Sequence, residues 1–211
     1  MTGRAREGVV VRNGPAVCWY VDGAHENHDQ SSKSAEEILV ELGGIAATAL
    51  LDGYKNKPTE RTLIRSMLRQ IGSDAVPSIG AYLNGGTSSV QNRGQLVRLL
   101  GEMDNGESRA LLAELQADAT EAESIRTEAA AALYRLGDKQ HRDYLVAALD
   151  AQDVLARRAA AHCMTYLNDE PDPAMLLTHL DDPDTVVCTH IATALGEHRS
   201  DLSAVDALVK V

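Results

Sequence analysis

Five stretches of this chain, beginning at Glu60, Asn92, Ile125, Ala156 and Val187, return to one helical pattern at steps of 31 to 33 residues. That period is the length of two short helices and two turns. The second position of the pattern reads Arg61, Arg93, Arg126 and Arg157, then departs to Cys188. The fifth reads Ile64, Leu96, Ala129, Ala160 and Ile191, and the ninth reads Leu68, Leu100, Leu133, Met164 and Leu195. Positions five, eight, nine and twelve share one helical face, the apolar stripe of an amphipathic helix. A breaker follows each stripe: Gly72, Gly101, Gly137, Asn168 and Gly196. Glycine there is expected to take the left-handed conformation that closes a helix. Second helices are expected over 75–83, 108–116, 142–150, 173–180 and 203–211. One such helical pair cannot bury both of its faces, but a stack of them can.

Composition agrees with that reading. Ala and Leu dominate the apolar set, aromatics make up 3%, Phe is absent and Trp19 is the single tryptophan. Small side chains let helix axes approach, and Leu fills the grooves between them. The expected fold is an all-α solenoid, a superhelix of five or six helical hairpins, with the repeats spanning 60–211. Residues 31–59 read as a degenerate first hairpin. In it Glu36 to Leu51 forms a helix with Ile38, Leu39, Leu42, Ile45, Ala46, Ala49 and Leu50 on one face, and Gly43-Gly44 marks a break. Residues 1–30 read as a small β-hairpin and a polar loop, with strands at 8–12 and 16–21 around the Asn13-Gly14 turn signal. At the far end Val205, Leu208 and Val211 continue the apolar face of the last expected helix, which is expected either to self-associate or to meet a further repeat of a longer array.

Arg157-Arg158-Ala159-Ala160-Ala161 and Thr193-Ala194-Leu195-Gly196 carry a family likeness. Over 60–211 the chain resembles HEAT-like repeat proteins, particularly the short Ala-rich repeats of phycobiliprotein bilin lyases. The resemblance implies a superhelix whose second helices line a groove where protein partners dock. On those helices Tyr82, Arg109, Glu114, Arg142, Asp143, Met175 and His179 are the expected outward-facing partner contacts. The relatives also include an iron hydroxylase marked by His-Glu pairs. Here Thr127 stands in the histidine's place before Glu128, so that activity is not expected.

The net charge of −11 sets an acidic surface. It repels phosphate backbones and favours a basic partner, so another protein is expected and nucleic acid is not. Cys18, Cys163 and Cys188 are odd in number and widely spaced, which gives neither a disulfide framework nor a zinc knuckle. No apolar run suits a signal peptide or a membrane span, and the cytoplasm is the expected location.

No nucleophile–base pair or ligand set stands out, so the first reading is a noncatalytic adaptor, scaffold or assembly factor without a cofactor. The alternative is a cofactor- or small-molecule-handling enzyme or chaperone. It would be lyase-like, with Cys163, His162, Cys188 and His190 from successive first helices, or metal-dependent through His25, Glu26, His28 and Asp29. For the arginine ladder Arg61, Arg93, Arg126 and Arg157, the structural reading pairs each with an acidic residue of a neighbouring turn.

Overall fold

The computed structural model describes residues 35–85, 89–167 and 173–197. The expected strands at 8–12 and 16–21, the His25–Asp29 loop, Asn168 and the helix at 203–211 lie outside those residues. Within them every regular element is helical. None of these helices is long and apolar enough to cross a membrane. The chain divides into two units, 1–85 and 86–211.

In the first unit, α1 (Ala35–Asn56) packs against α2 (Arg61–Ile71) and α3 (Val76–Asn84). Gly43 breaks α1 with φ 51° and ψ −126°, a backbone conformation open to glycine. A side chain there would also meet the Asp74 carboxylate at 2.8 Å. Beyond the kink Ala46, Ala47, Leu51 and Tyr54 turn inward against Ile64, Leu68, Ile79 and Leu83. Ile45, expected on the apolar face, is instead 70% exposed. The kink rotates the face that an unbroken helix would have buried.

In the second unit, α4 (Val90–Met103), α6 (Glu123–Arg135), α8 (Val154–Met164) and α10 (Thr185–Glu197) pack directly on one another in that order. The intervening α5 (Gly106–Ala117), α7 (Arg142–Ala147, extended by a 3-10 turn to Asp150) and α9 (Pro173–Leu177) lie against that layer. They form no comparable layer among themselves. Side-chain size explains the difference. Ala129–Ala132 of α6 and Ala156, Ala159, Ala160 and Ala161 of α8 are buried between the closely spaced helices. Leu112, Leu115, Leu145, Leu149 and Leu176 of the second helices and their turns complete the core from behind.

Two of the expected helix breakers act otherwise. Gly137 does take positive φ (99°), and Asp138 N–H donates to Leu133 O at 3.0 Å across it, closing α6. Gly101, however, lies inside α4, and the left-handed residue that closes that helix is Asp104 (φ 40°). The reason for glycine at 101 is space: a Cβ would sit 2.7 Å from Ala132 Cβ. Gly196 likewise lies within α10.

Candidate functional site

Where helices pack this closely, their polar residues gather at the seam. On the exposed side of α4, α6, α8 and α10 is a recess of about 190 Å3. Arg98 of α4, Ser124 and Glu128 of α6, Arg158 of α8 and His190 of α10 line it, with Val90, Leu155 and Val186 as its apolar rim. Arg98 donates through Nε and Nη2 to Glu128, tying α4 to α6. Arg158 donates through Nε and Nη2 to both Asp184 oxygens, at 2.9 and 2.6 Å. Asp184 Oδ1 also accepts from Val186 N–H and Val187 N–H at the start of α10. The Arg158 bond, aided by those N–H groups, holds its carboxyl down at about 2.

Ser124 is 3% exposed, and its Oγ has no hydrogen-bond partner. Buried hydroxyls are ordinarily bonded, so an orphan one lining a recess is a marked feature. It sits in the first turn of α6, a helix whose N-cap residue, Ala122, provides no side-chain cap. In the neighbouring repeats Ser89 caps α4 and Asp153 caps α8.

From the recess a line of rings continues along the same face. The His190 ring meets the His162 ring at 4.9 Å between centroids, and His162 meets Tyr166 at 5.3 Å. The Arg135 guanidinium lies over the Tyr166 ring at 5.8 Å. Burial lowers the pKa of both histidines, and Arg98 lowers it further; His162 falls to about 4, with His190 and Arg135 adding to the effect. Both imidazoles are therefore neutral at pH 7. Tyr166 is 50% exposed and Val186 38%.

The cysteines of the lyase-like alternative lie apart from these histidines, and Cys163 is core, as its place on the apolar stripe implies. Cys163 is buried in the core with Leu145, Leu176 and Ile191, and burial pushes its thiol up to about 12. Cys188 turns its Sγ to the Asp182 carbonyl at 3.0 Å.

The ladder arginines all turn onto the protein, in two ways. Arg93 holds Glu121 with both Nη groups, and Arg157 holds Asp182 while also donating to the Ala151 and Gln152 carbonyls. Arg61 and Arg126 depart from the expected acidic pairing. Each donates to a backbone carbonyl, of Tyr54 and Gln116, and lies over a tyrosine ring, Tyr54 and Tyr144.

The groove residues expected on the second helices are dispersed. Tyr82, in the first unit, is half-buried with its hydroxyl buried and unpartnered, edge-on to Tyr54. Arg109 pairs with Asp104 at 2.6 Å and Arg142 with the exposed Asp143 at 3.4 Å. Glu114 is exposed. Met175 packs against the core, and His179 lies half-buried, 4.0 Å from Asp150. The recess belongs to the first helices, which the sequence reading did not single out. Ala122 is the available signal, because it stands where Ser89, Asp153 and Asp184 stand in three of the other four repeats.

Residues 76–165 match the family model for HEAT repeats, from the first residue of α3 to the residue after α8. This stretch is similar to HEAT repeats. The recess lies partly within it, through α4, α6 and α8, and partly beyond it on α10. No curated protein matches the chain.

Proposed function

We propose that this chain is a noncatalytic protein-docking module, an adaptor, scaffold or assembly factor, with five HEAT-like repeats over 60–211. Its partner seats on the face formed by α4, α6, α8 and α10. The observation that carries the reading is the recess with the orphan Ser124 hydroxyl at its wall, continued by half-exposed Tyr166. A buried unsatisfied donor, an exposed aromatic and an apolar rim are the ingredients of an interface anchor. HEAT repeats generally serve protein interaction, which supports the class of partner.

Cross-linking mass spectrometry on the chain co-purified with its partner from the source cells tests this. Cross-links and protection are expected around Tyr166, Val186 and Leu155. Contacts confined to Arg109, Glu114, Arg142 and Asp143 would return the interface to the second helices and overturn the assignment.

A further inference from the structure

The charge of the recess differs from that of the chain around it. Its charged lining residues are two arginines, Arg98 and Arg158, and one glutamate, Glu128, and Asp184 pairs with Arg158 beside it, so the recess is balanced in a protein of net charge −11. Glu128 is already engaged, since Arg98 binds both of its oxygens. Each arginine uses Nε and Nη2 on its own carboxylate, which leaves the Nη1 donors of Arg98 and Arg158 unengaged. Ser124 Oγ adds a buried hydroxyl with nothing to bond. Donors therefore outnumber acceptors in the recess, and Arg135 extends the cationic line past His162. No carboxylate is among the groups that set the titration of His162 or His190.

We propose that the recess receives a carboxylate side chain from an acidic, partly apolar peptide segment of the partner. Ser124 Oγ and the free guanidinium edges of Arg98 and Arg158 donate to it, and Val90, Leu155 and Val186 take the neighbouring apolar residues. This deepens the docking reading above and rests on it. It reverses the basic partner that the overall charge suggests, because recognition follows the local donor set rather than the net charge. Charge-assisted hydrogen bonds are the stronger kind, so a carboxylate gains more here than an amide of the same shape.

The test is fluorescence anisotropy of the full chain with a short fluorescein-labelled peptide of alternating Glu and Leu, alongside Gln/Leu and Lys/Leu counterparts. The Glu/Leu peptide is expected to bind about tenfold or more tightly than the Gln/Leu one, and to weaken as salt is raised. Arg158→Gln should weaken it by about tenfold. Ser124→Ala should weaken it as well, while raising Tm, because it removes an unsatisfied buried hydroxyl. Equal binding of the Glu/Leu and Gln/Leu peptides, abolished by Val186→Asp, overturns the carboxylate and leaves the docking face standing. Binding of none of the three overturns both. Binding of inorganic phosphate alone, read by NMR shifts at Ser124, with no peptide bound, makes the recess a small-anion site and overturns the peptide source.

Discussion

Gly101 and Ala132 touch so closely that α4 and α6 have no room for one more methyl group. A Cβ at Gly101 would stand 2.7 Å from Ala132 Cβ and 3.3 Å from its Cα. Because one of those atoms is backbone, a side-chain rotation cannot relieve the contact. Gly101→Ala should destabilise the chain by about 1–3 kcal/mol, even though alanine is the better helix former. Urea unfolding measures this; an unchanged midpoint would show that α4 and α6 can separate at little cost.

Arg157 should be costly to lose. Its partner Asp182 has a side chain only 6% exposed, and the same guanidinium also holds two carbonyls before α8. Arg157→Ala strands that carboxylate and should cost about 3 kcal/mol. Arg157→Lys should recover little, since a single ammonium cannot reproduce the planar fork. Calorimetry of both variants decides it, and near-complete rescue by lysine would reduce the pair to simple charge.

The buried histidine sets an acid limit. His162 titrates near 4 in the folded chain, below the ordinary 6.5, through burial and then Arg98, His190 and Arg135. At pH 7 both folded and unfolded chains carry it neutral, so it costs nothing there. As pH falls from about 6.5 the unfolded chain takes up the proton first, and stability declines until the folded-state value near 4 is reached. The full shift corresponds to about 3 kcal/mol, and because the ring is only partly buried, solvent screening reduces the expected loss to about 2 kcal/mol. His162→Gln should flatten the decline over that window, and an unaltered slope would assign it to other groups.

Cys163 should be silent toward thiol reagents. Its thiol titrates near 12 because of burial, so almost no thiolate exists at neutral pH. In a variant with Cys18 and Cys188 replaced by serine, Ellman's reagent should label nothing until guanidinium is added. Rapid labelling in buffer would mean that the core around Ala130, Tyr134 and Leu176 opens readily.

Much of this was legible in the sequence, though unevenly. The amphipathic stripe marks which side of each helix is buried, and Leu68, Leu100, Leu133, Met164 and Leu195 are all buried. Periodicity alone does not say which of two helical layers is the tighter one. That depends on the runs of Ala and Gly in α4, α6 and α8, and their consequence emerges only when neighbouring helices are brought together. On the second helices, where the repeat pattern places a groove, Met175 packs against the core and Arg109 and Arg142 have acidic partners. Ile45 is exposed because its burial requires an unbroken helix, and Gly43 breaks it. Ser124 carried no pattern of its own; only the missing cap at Ala122 hinted at it.

The arginine ties also say something about how this chain tolerates rearrangement. Arg93–Glu121, Arg98–Glu128, Arg157–Asp182 and Arg158–Asp184 each join residues 25 to 30 apart, nearly one period. Each of these four cations thus finds its anion within about one period, and none reaches past it. Duplicating a whole period would lengthen the array while each cation still met a carboxylate of the next copy. A deletion of half a period would leave arginines facing the wrong helix. Gain and loss of sequence in such an array are therefore quantised by the reach of a guanidinium across one repeat.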